Sequence, residues 1–191
     1  MHATLCDLIM DLVQNAVEAN ATVIELTLAQ TEDRFGFVIQ DNGIGMDRET
    51  QAKATDPFYS DGQKHAHRRV GLGLPFLLQT ADAVSGRAAI LSEKGKGTRI
   101  EFSADAQHVD LPPVGDVPAS MAMMLSQPFQ GELRMIRRTE SDSYWLSRGE
   151  LTDTLGDLND TENLKLIKHY IELQEENLNK AGTSYEQTDT G

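Results

Sequence analysis

The chain has 191 residues, of which 39% are hydrophobic and 15 are glycine, an ordinary composition for a folded protein of one or two domains. No apolar run approaches the roughly 20 residues of a membrane span, and the single cysteine excludes a disulfide framework or a multi-cysteine metal site. Seventeen basic and 30 acidic residues give a net charge of -13, which repels nucleic acid and anionic membrane, so we expect a soluble cytoplasmic protein.

The first half of the chain predicts helices alternating with hairpins. Thr4 and Asp7 have the capping-box spacing at the start of a helix whose apolar residues recur every three or four positions. A second helix is expected over residues 72–84, with Pro75 in its first turn. Four β-rich segments predict two antiparallel hairpins, at residues 22–29, 34–40, 87–92 and 98–103. Residues 41–70 have no long periodic segment and predict a functional loop with short helical pieces.

A proline-rich linker at residues 109–118 follows a first domain at residues 1–108. Beyond it we expect an α/β extension at 119–182 and a disordered tail at 183–191. The extension predicts a helix, a hairpin and a last helix capped by Gly182, at residues 119–126, 133–138 with 143–146, and 161–180. Residues 150–191 are acidic, which indicates either a solvated helix face or a docking surface for a basic partner.

Four short motifs occur in order in the first domain. They are DLVQNA at 11–16, DNGIGM at 41–46, GLGL at 71–74 and KGT at 96–98, with PFY at 57–59 between the second and third. Each motif alone is weak. GLGL does not fit a dinucleotide-binding fingerprint, because Phe76 occupies the place of the third glycine and no strand precedes it.

Together the four motifs resemble those of the GHKL, or Bergerat-fold, ATPase superfamily, which includes histidine kinases, DNA gyrase, MutL and the large heat-shock chaperone ATPases. The resemblance covers about residues 4–105. It implies an α+β fold, a two-layer sandwich with helices on one face of a mixed, mainly antiparallel sheet, here with a C-terminal α/β extension. It also implies ATP and Mg²⁺ as cofactors.

The resemblance assigns roles to residues of the first two motifs. Asp11 and Asn15 are four residues apart and so share a helix face, where an asparagine oxygen can ligate Mg²⁺. The resemblance implies that Asn15 is this metal ligand. It makes Asp11 the catalytic residue that orients or activates the attacking group, where the family usually has Glu or another polar residue. It implies that Asp41 binds the adenine amino group with support from Thr98.

Glycines and loop residues complete the implied nucleotide site. Small residues let the backbone pass close to the purine, and a helix that starts after a glycine can hold phosphate with its N-terminal amides. Lys64 and Arg68 lie in the loop between the second and third motifs, where they either contact the phosphates or are plain solvated charges. The remaining implied nucleotide-binding residues are Gly43, Gly45, Met46, Phe58, Lys64, Arg68, Gly71, Leu72, Gly73 and Leu74.

Three features favour the histidine-kinase catalytic branch: the short span from Gly45 to Gly71, the PFY motif and GLGL. Residues 15–22 also resemble MutL-like sequences, but we favour the histidine-kinase branch over the MutL branch. The first helix begins near Thr4, so we expect no phospho-acceptor hairpin before it. His169 lacks the acidic neighbour that usually follows a phospho-acceptor histidine. We therefore do not expect autokinase activity within this chain.

Two functional hypotheses follow. The first is an ATP-dependent enzyme that phosphorylates or regulates a protein partner in trans, such as a response-regulator-like or other signalling protein. The second is a nucleotide-gated interaction module, similar to an anti-sigma regulator, with little or no turnover. Both leave the oligomeric state open. Because the family usually has a strand or helix before the first motif, we favour an extension whose hairpin joins the first-half sheet over a separate small domain.

Overall fold

The computed structural model describes residues 4–56 and 72–185, without the side chains of residue 179 and residues 181–185. The helices in these ranges are Leu5–Glu18 (α1), Arg48–Thr55 (α2), Gly73–Ala83 (α3), Val117–Ser126 (α4), Arg148–Leu155 (α5) and Thr161–Tyr185 (α6). The strands in the same ranges are Val23–Gln30 (β1), Arg34–Asp41 (β2), Arg87–Glu93 (β3), Gly97–Asp105 (β4), Glu132–Arg138 (β5) and Ser143–Ser147 (β6). None of these helices has both the length and the apolar character that crossing a bilayer requires.

The strands form one mixed sheet in the order β3-β4-β2-β1-β5-β6. Neighbouring strands are antiparallel, except that β1 and β5 are parallel. Along β2, the side chains of Phe35, Phe37 and Ile39 are buried on one face of the sheet, because side chains of a strand alternate between faces. These residues share one hydrophobic core with α1, α3, α4 and α6. The predicted α+β sandwich is therefore confirmed.

The first helix begins as its sequence predicts. The backbone N–H of Asp7 donates to Thr4 Oγ1 at 3.1 Å, and the backbone N–H of Thr4 donates to the Asp7 carboxylate at 2.9 Å. These two bonds satisfy groups that the first turn of a helix otherwise leaves unpaired. The apolar stripe of α1 is buried from Leu5 to Ala16. The opposite face of the helix is therefore left for Asp11 and Asn15.

The C-terminal hairpin joins the sheet of the first half of the chain. β5 pairs with β1 in parallel register, with Val23 opposite Glu132 and Ala29 opposite Arg138. The hairpin arrangement that the sequence favoured is therefore the one observed. The division of the chain at residues 108 and 118 stays a prediction.

A polar cluster ties the extension to the first half. The Arg137 guanidinium, 5% exposed, donates from Nε to Glu175 Oε1 at 3.2 Å and from Nη2 to Gln30 Oε1 at 3.0 Å. The Tyr144 hydroxyl donates to the same Glu175 oxygen at 2.6 Å. Burial is the main reason that the pKa of Tyr144 is raised, and the Glu175 carboxylate raises it further. The phenol therefore keeps its proton and stays a hydrogen-bond donor. The cluster connects β1, β5, β6 and α6.

The proline-rich segment packs against the start of α1. The backbone N–H groups of Leu5 and Cys6 donate to the carbonyl oxygens of Pro113 and Val114, each at 2.9 Å. Two further first-turn N–H groups of α1 thereby gain partners. The helix that carries Asp11 and Asn15 is thus fixed at its N-terminus by the segment that leads into the extension.

Three details of the extension differ from the sequence predictions. Helix α4 begins at Val117 instead of residue 119, because Asp116 caps it through the Ala119 N–H at 2.9 Å. Helix α5 was not predicted, although Ser147 caps it by accepting from the Glu150 N–H at 3.2 Å. Helix α6 continues past Gly182 to Tyr185, since a glycine inside a helix costs only about 1 kcal/mol relative to alanine. The end of the expected tail, residues 186–191, lies outside the described residues.

Candidate functional site

Asp41 is the buried carboxylate of the site and the last residue of β2. Its side chain falls on the core face because Phe35, Phe37 and Ile39 precede it at every second position. Asp41 Oδ1 accepts from the backbone N–H of Gly43 at 2.7 Å. Burial raises the pKa of Asp41, and hydrogen bonds from the Gly43 and Thr98 backbone N–H groups oppose that rise.

The loop after Asp41 is held by backbone hydrogen bonds on two sides. The Ile44 N–H donates to the carbonyl of Ala19, at the C-terminus of α1, at 2.8 Å. The Ile44 carbonyl accepts from the Gly95 N–H, in the β3–β4 turn, at 2.7 Å. Gly45 has a φ of +60°, and a Cβ there would collide with the carbonyl of Glu93. The second motif therefore needs glycine at this position to pass between α1 and the turn.

Asn42 also fixes this loop, a role that its sequence position did not predict. Its Oδ1 accepts from the backbone N–H groups of Thr22 and Val23 at 2.8 and 2.9 Å, and its Nδ2 donates to Thr22 Oγ1 at 2.9 Å. The signal that indicates such a role is the Asx residue in a D-N-G turn, because its short amide can bond nearby backbone groups. Asn42 thus ties the start of the loop to the start of β1.

Thr98 lies directly opposite Asp41 on β4, so the two side chains point to the same face of the sheet. Its Oγ1 is 2.9 Å from Oγ of Ser92, on β3. Ser92 Oγ also accepts from the backbone N–H of Met46 at 2.8 Å and lies 3.1 Å from the carbonyl oxygen of Gly97. Ser92 is therefore a second residue missed from the sequence, where it looked like an ordinary strand serine.

Asp11 and Asn15 are half-buried on the same face of α1. Among the described residues, the Asn15 side-chain amide has no hydrogen-bond partner, so its carbonyl oxygen is available to a ligand. A Cβ on Gly73 would lie 2.6 Å from Asp11 Oδ2. The structure therefore brings the first motif against the third, as a site shared by the two motifs requires.

The start of α3 provides the remaining described part of the site. Leu72 is the N-cap residue and makes no side-chain capping bond, and its side chain is 52% exposed. Gly73 and Leu74 follow as the first helical residues, and Leu74 packs into the core. Pro75 has no N–H, and the Phe76 N–H donates to the Leu72 carbonyl at 2.9 Å. Gly73 and Leu74 are therefore the described first-turn residues whose N–H groups have no acceptor within the helix and suit an anion. The predicted residues Phe58, Lys64, Arg68 and Gly71 lie outside the described residues.

The family of the chain follows from its first 108 residues. Residues 2–108 match the family described as histidine kinase-, DNA gyrase B-, and HSP90-like ATPase. Since this match covers more than half of the 191 residues, the chain belongs to that family. Its ATPase region is of the histidine-kinase type, as the motifs predicted, and the family implies ATP binding.

Curated relatives include bacterial sensor proteins. Sensor protein CiaH of Streptococcus pneumoniae is 31% identical over 86 residues, which are 44% of this chain and 19% of that protein. Sensor histidine kinase YxdK of Bacillus subtilis is 28% identical over 95 residues, which are 48% of this chain and 29% of that protein. The chain therefore spans less than a third of the length of these two relatives.

A solved structure supports the fold. The crystal structure of the N-terminal domain of a DNA repair protein has a TM-score of 0.55 and 14% sequence identity to this chain. The likeness covers 81% of this chain and 57% of that one. At this identity it shows the fold alone. The shared fold extends beyond residue 108, since it covers more of the chain than the family match does.

Proposed function

We propose that this chain binds Mg-ATP between α1, the loop after β2 and the start of α3, and uses it to phosphorylate or regulate a protein partner in trans. The adenine amino group donates to the Asp41 carboxylate, with Thr98 beside it on the neighbouring strand. Supporting this assignment, Asp41 is a buried acceptor at the end of a strand, and the loop that follows it is fixed on both sides.

Asn15 fits the role of metal ligand. Mg²⁺ prefers oxygen ligands and keeps several waters and phosphate oxygens, so a single protein oxygen is enough. The Asn15 carbonyl is a neutral oxygen with no competing partner among the described residues. It lies one helical turn from Asp11, whose carboxylate is the one in contact with the start of α3. Bound there, Mg²⁺ would neutralise charge on the phosphates.

The uncapped start of α3 fits the phosphate groups. The backbone N–H groups of its first turn carry the positive end of the helix dipole, which favours an anion. Gly73 keeps this turn in contact with Asp11, because any side chain at residue 73 would occupy the space of the Asp11 carboxylate. ATP supplies the phosphoryl group for transfer when it is bound.

The observation that carries the transfer hypothesis is the contact between Asp11 and the α3 start. A carboxylate at the phosphate-binding end of α3 is placed to orient or activate a group that attacks the phosphate. The likeness to sensor histidine kinases supports a signalling partner, such as a response-regulator-like protein. We accordingly propose Asp11 as the catalytic residue.

A second function, nucleotide-gated interaction without turnover, is favoured by a different observation. Leu5 and Cys6 connect α1 directly to the carbonyls of Pro113 and Val114. A displacement of α1 when a nucleotide binds at Asn15 would therefore be transmitted to the extension through the helix and these two hydrogen bonds. In this alternative the extension presents its surface to a partner when ATP is bound.

Labelled ATP separates the two functions. Purified protein is incubated with labelled ATP, with and without Mg²⁺, alone and in native lysate, beside Asp11→Ala and the matched carboxylate control Asp82→Ala, exposed on α3. Transfer is supported by Mg²⁺-dependent labelling of a lysate protein that is lost in Asp11→Ala and kept in Asp82→Ala. ATP binding with no labelling and no hydrolysis supports the interaction module and contradicts transfer.

A further inference from the structure

The hydrogen bonds around Ser92 determine where the hydroxyl protons of Ser92 and Thr98 point. Within residues 4–56 and 72–185, three polar groups surround Ser92 Oγ: the Met46 N–H at 2.8 Å, the Gly97 carbonyl at 3.1 Å and Thr98 Oγ1 at 2.9 Å. The first can only donate and the second can only accept. A serine hydroxyl has one proton and two acceptor lone pairs.

Only one arrangement of protons satisfies all three groups at once. Ser92 uses its single proton on the Gly97 carbonyl and accepts from the Met46 N–H. Its second lone pair then accepts the Thr98 hydroxyl proton. If Ser92 instead donated to Thr98, its bond to the Gly97 carbonyl would be lost, which is unfavourable for a partly buried group.

We infer that Ser92 is a positioning residue for base specificity: it holds the Thr98 hydroxyl as a donor toward β3 and so presents Thr98 to the nucleotide base as a hydrogen-bond acceptor. This inference rests on the proposed function, and it deepens that function by assigning the base preference of the site to a residue that touches no base.

The consequence follows from the position of Thr98. Thr98 and Asp41 are opposite one another on adjacent strands and share a face of the sheet. Asp41 is an acceptor when ionised, and the Thr98 hydroxyl proton is already in use. Two neighbouring acceptors therefore face the base edge. They favour an edge that donates, such as the adenine amino group, and oppose one that carries an oxygen at the same place.

Adenine and hypoxanthine nucleotides test this polarity directly. ATP has an amino group at the 6-position of the base and an acceptor at N1, whereas inosine triphosphate has an oxygen at the 6-position and an N–H at N1. The N1 difference is the same in the parent and in each variant, so a change in the affinity ratio reports the group that faces the 6-position. Without Ser92, the Thr98 hydroxyl is free to rotate and can donate to that oxygen. Loss of the Ser92 hydroxyl should therefore narrow the preference for ATP over inosine triphosphate.

The experiment measures the affinities of both nucleotides by calorimetry in the presence of Mg²⁺. In Ser92→Ala, the ratio of ATP affinity to inosine triphosphate affinity should fall roughly two- to tenfold, the value of one hydrogen bond. Ser92→Thr keeps the hydroxyl and should restore the parental ratio. Ser103→Ala, the same kind of change on the other face of β4, should leave the ratio unchanged.

A double-mutant cycle tests whether Ser92 acts through Thr98. Thr98→Val removes the acceptor and should lower the ratio, and adding Ser92→Ala to it should lower the ratio no further. If Ser92 only supports the structure, Ser92→Ala will weaken both nucleotides equally and the ratio will not move, which overturns the inference alone. If the parent protein binds no ATP, the proposed function fails and this inference fails with it.

Discussion

A Cβ atom added to Gly73 would lie 2.6 Å from Oδ2 of Asp11, so the first residue of α3 and a carboxylate of α1 are in direct contact. These residues are 62 positions apart in the sequence, and nothing in the local sequence around either one predicts the contact. The contact therefore brings the first motif, at 11–16, and the third motif, at 71–74, to the same candidate site. Because of this contact, even the methyl group of alanine at residue 73 would collide with the Asp11 carboxylate.

Gly73→Ala should weaken Mg-ATP binding because the new methyl group displaces the Asp11 carboxylate or shifts the first turn of α3. We expect a loss of about tenfold in affinity by calorimetry, of the size seen for small displacements in preorganised sites. In an Asp11→Ala background the closest contact is gone and Leu12 Cδ2, at 3.2 Å from the added Cβ, remains, so the same substitution should cost less. Equal losses in the two backgrounds would show that this contact does not shape the site.

Asp41→Asn should stabilise the free protein at neutral pH. Burial raises the pKa of Asp41 in the folded state above its ordinary value of 3.8. The stability linked to this group is therefore fully present below that value and is lost as pH rises through the folded-state pKa. Since Asn cannot ionise, the free energy of unfolding of the variant minus that of the parent should increase from pH 4 to pH 7. Urea denaturation at several pH values measures this difference, and a difference that falls with pH contradicts it.

The same Asp41→Asn variant should lose adenine recognition. The Gly43 N–H requires an acceptor, so the Asn oxygen takes the position of Asp41 Oδ1 and the amide N–H₂ faces the site. A donor then meets the donating amino group of adenine, and ATP affinity should fall by on the order of tenfold. Unchanged affinity for both ATP and GTP, measured by calorimetry, would show that Asp41 does not read the base.

Asn42→Ala should destabilise the fold through the loop after β2. It removes the acceptor of the Thr22 and Val23 N–H groups, bonded at 2.8 and 2.9 Å. We expect a loss of about 1–2 kcal/mol in the free energy of unfolding by urea denaturation. Asn42→Asp keeps both acceptor bonds and is the matched control, with a smaller loss. A loss in Asn42→Asp as large as that in Asn42→Ala would mean that these two bonds are not the reason.

Truncation after Asp110 should abolish cooperative folding. It removes β5, which pairs with β1 along seven residue pairs, and α4 and α6, which cover part of the core. The remaining chain would expose an unpaired strand edge and apolar residues such as Ile24 and Leu28. Thermal melting followed by circular dichroism checks this expectation. A truncated protein that is soluble, melts cooperatively and binds ATP like the parent would show that the extension is an independent module.

Much of the fold follows from local sequence signals. The helix capped by Thr4 and the alternating residues of β2 were predicted because period and capping are local properties. The hairpin at 133–146 was predicted as an element, but its parallel pairing with β1 depends on contacts more than 100 residues apart. Helix α5 was missed because its capping signal, Ser147 with Glu150, precedes a segment with few apolar residues.

The site was predictable to the extent that motifs encode it. Asp11, Asn15 and Asp41 stand in motifs whose order resembles a known family, and the structure brings the first of them against Gly73. Ser92 belongs to no such motif, and Asn42 lies inside the second motif without a role that the resemblance assigns to it. Their roles arise from which backbone groups happen to lie within hydrogen-bond distance after folding, and a strand serine or turn asparagine does not reveal this on its own.

Calorimetric titration of Mg-ATP into the full chain, beside Asn15→Ala and the control Gln14→Ala, tests whether the chain binds Mg-ATP with Asn15 as the metal ligand. Gln14 is the neighbour of Asn15 on α1, and among the residues that the structure describes its amide bonds only to Glu18, at 3.1 Å. We expect saturable, Mg²⁺-dependent ATP binding by the parent and by Gln14→Ala. We expect a loss of more than about tenfold in the affinity of Asn15→Ala, which lacks the protein oxygen offered to the metal. Parental affinity in Asn15→Ala, or no ATP binding by the parent, would contradict this Mg-ATP site.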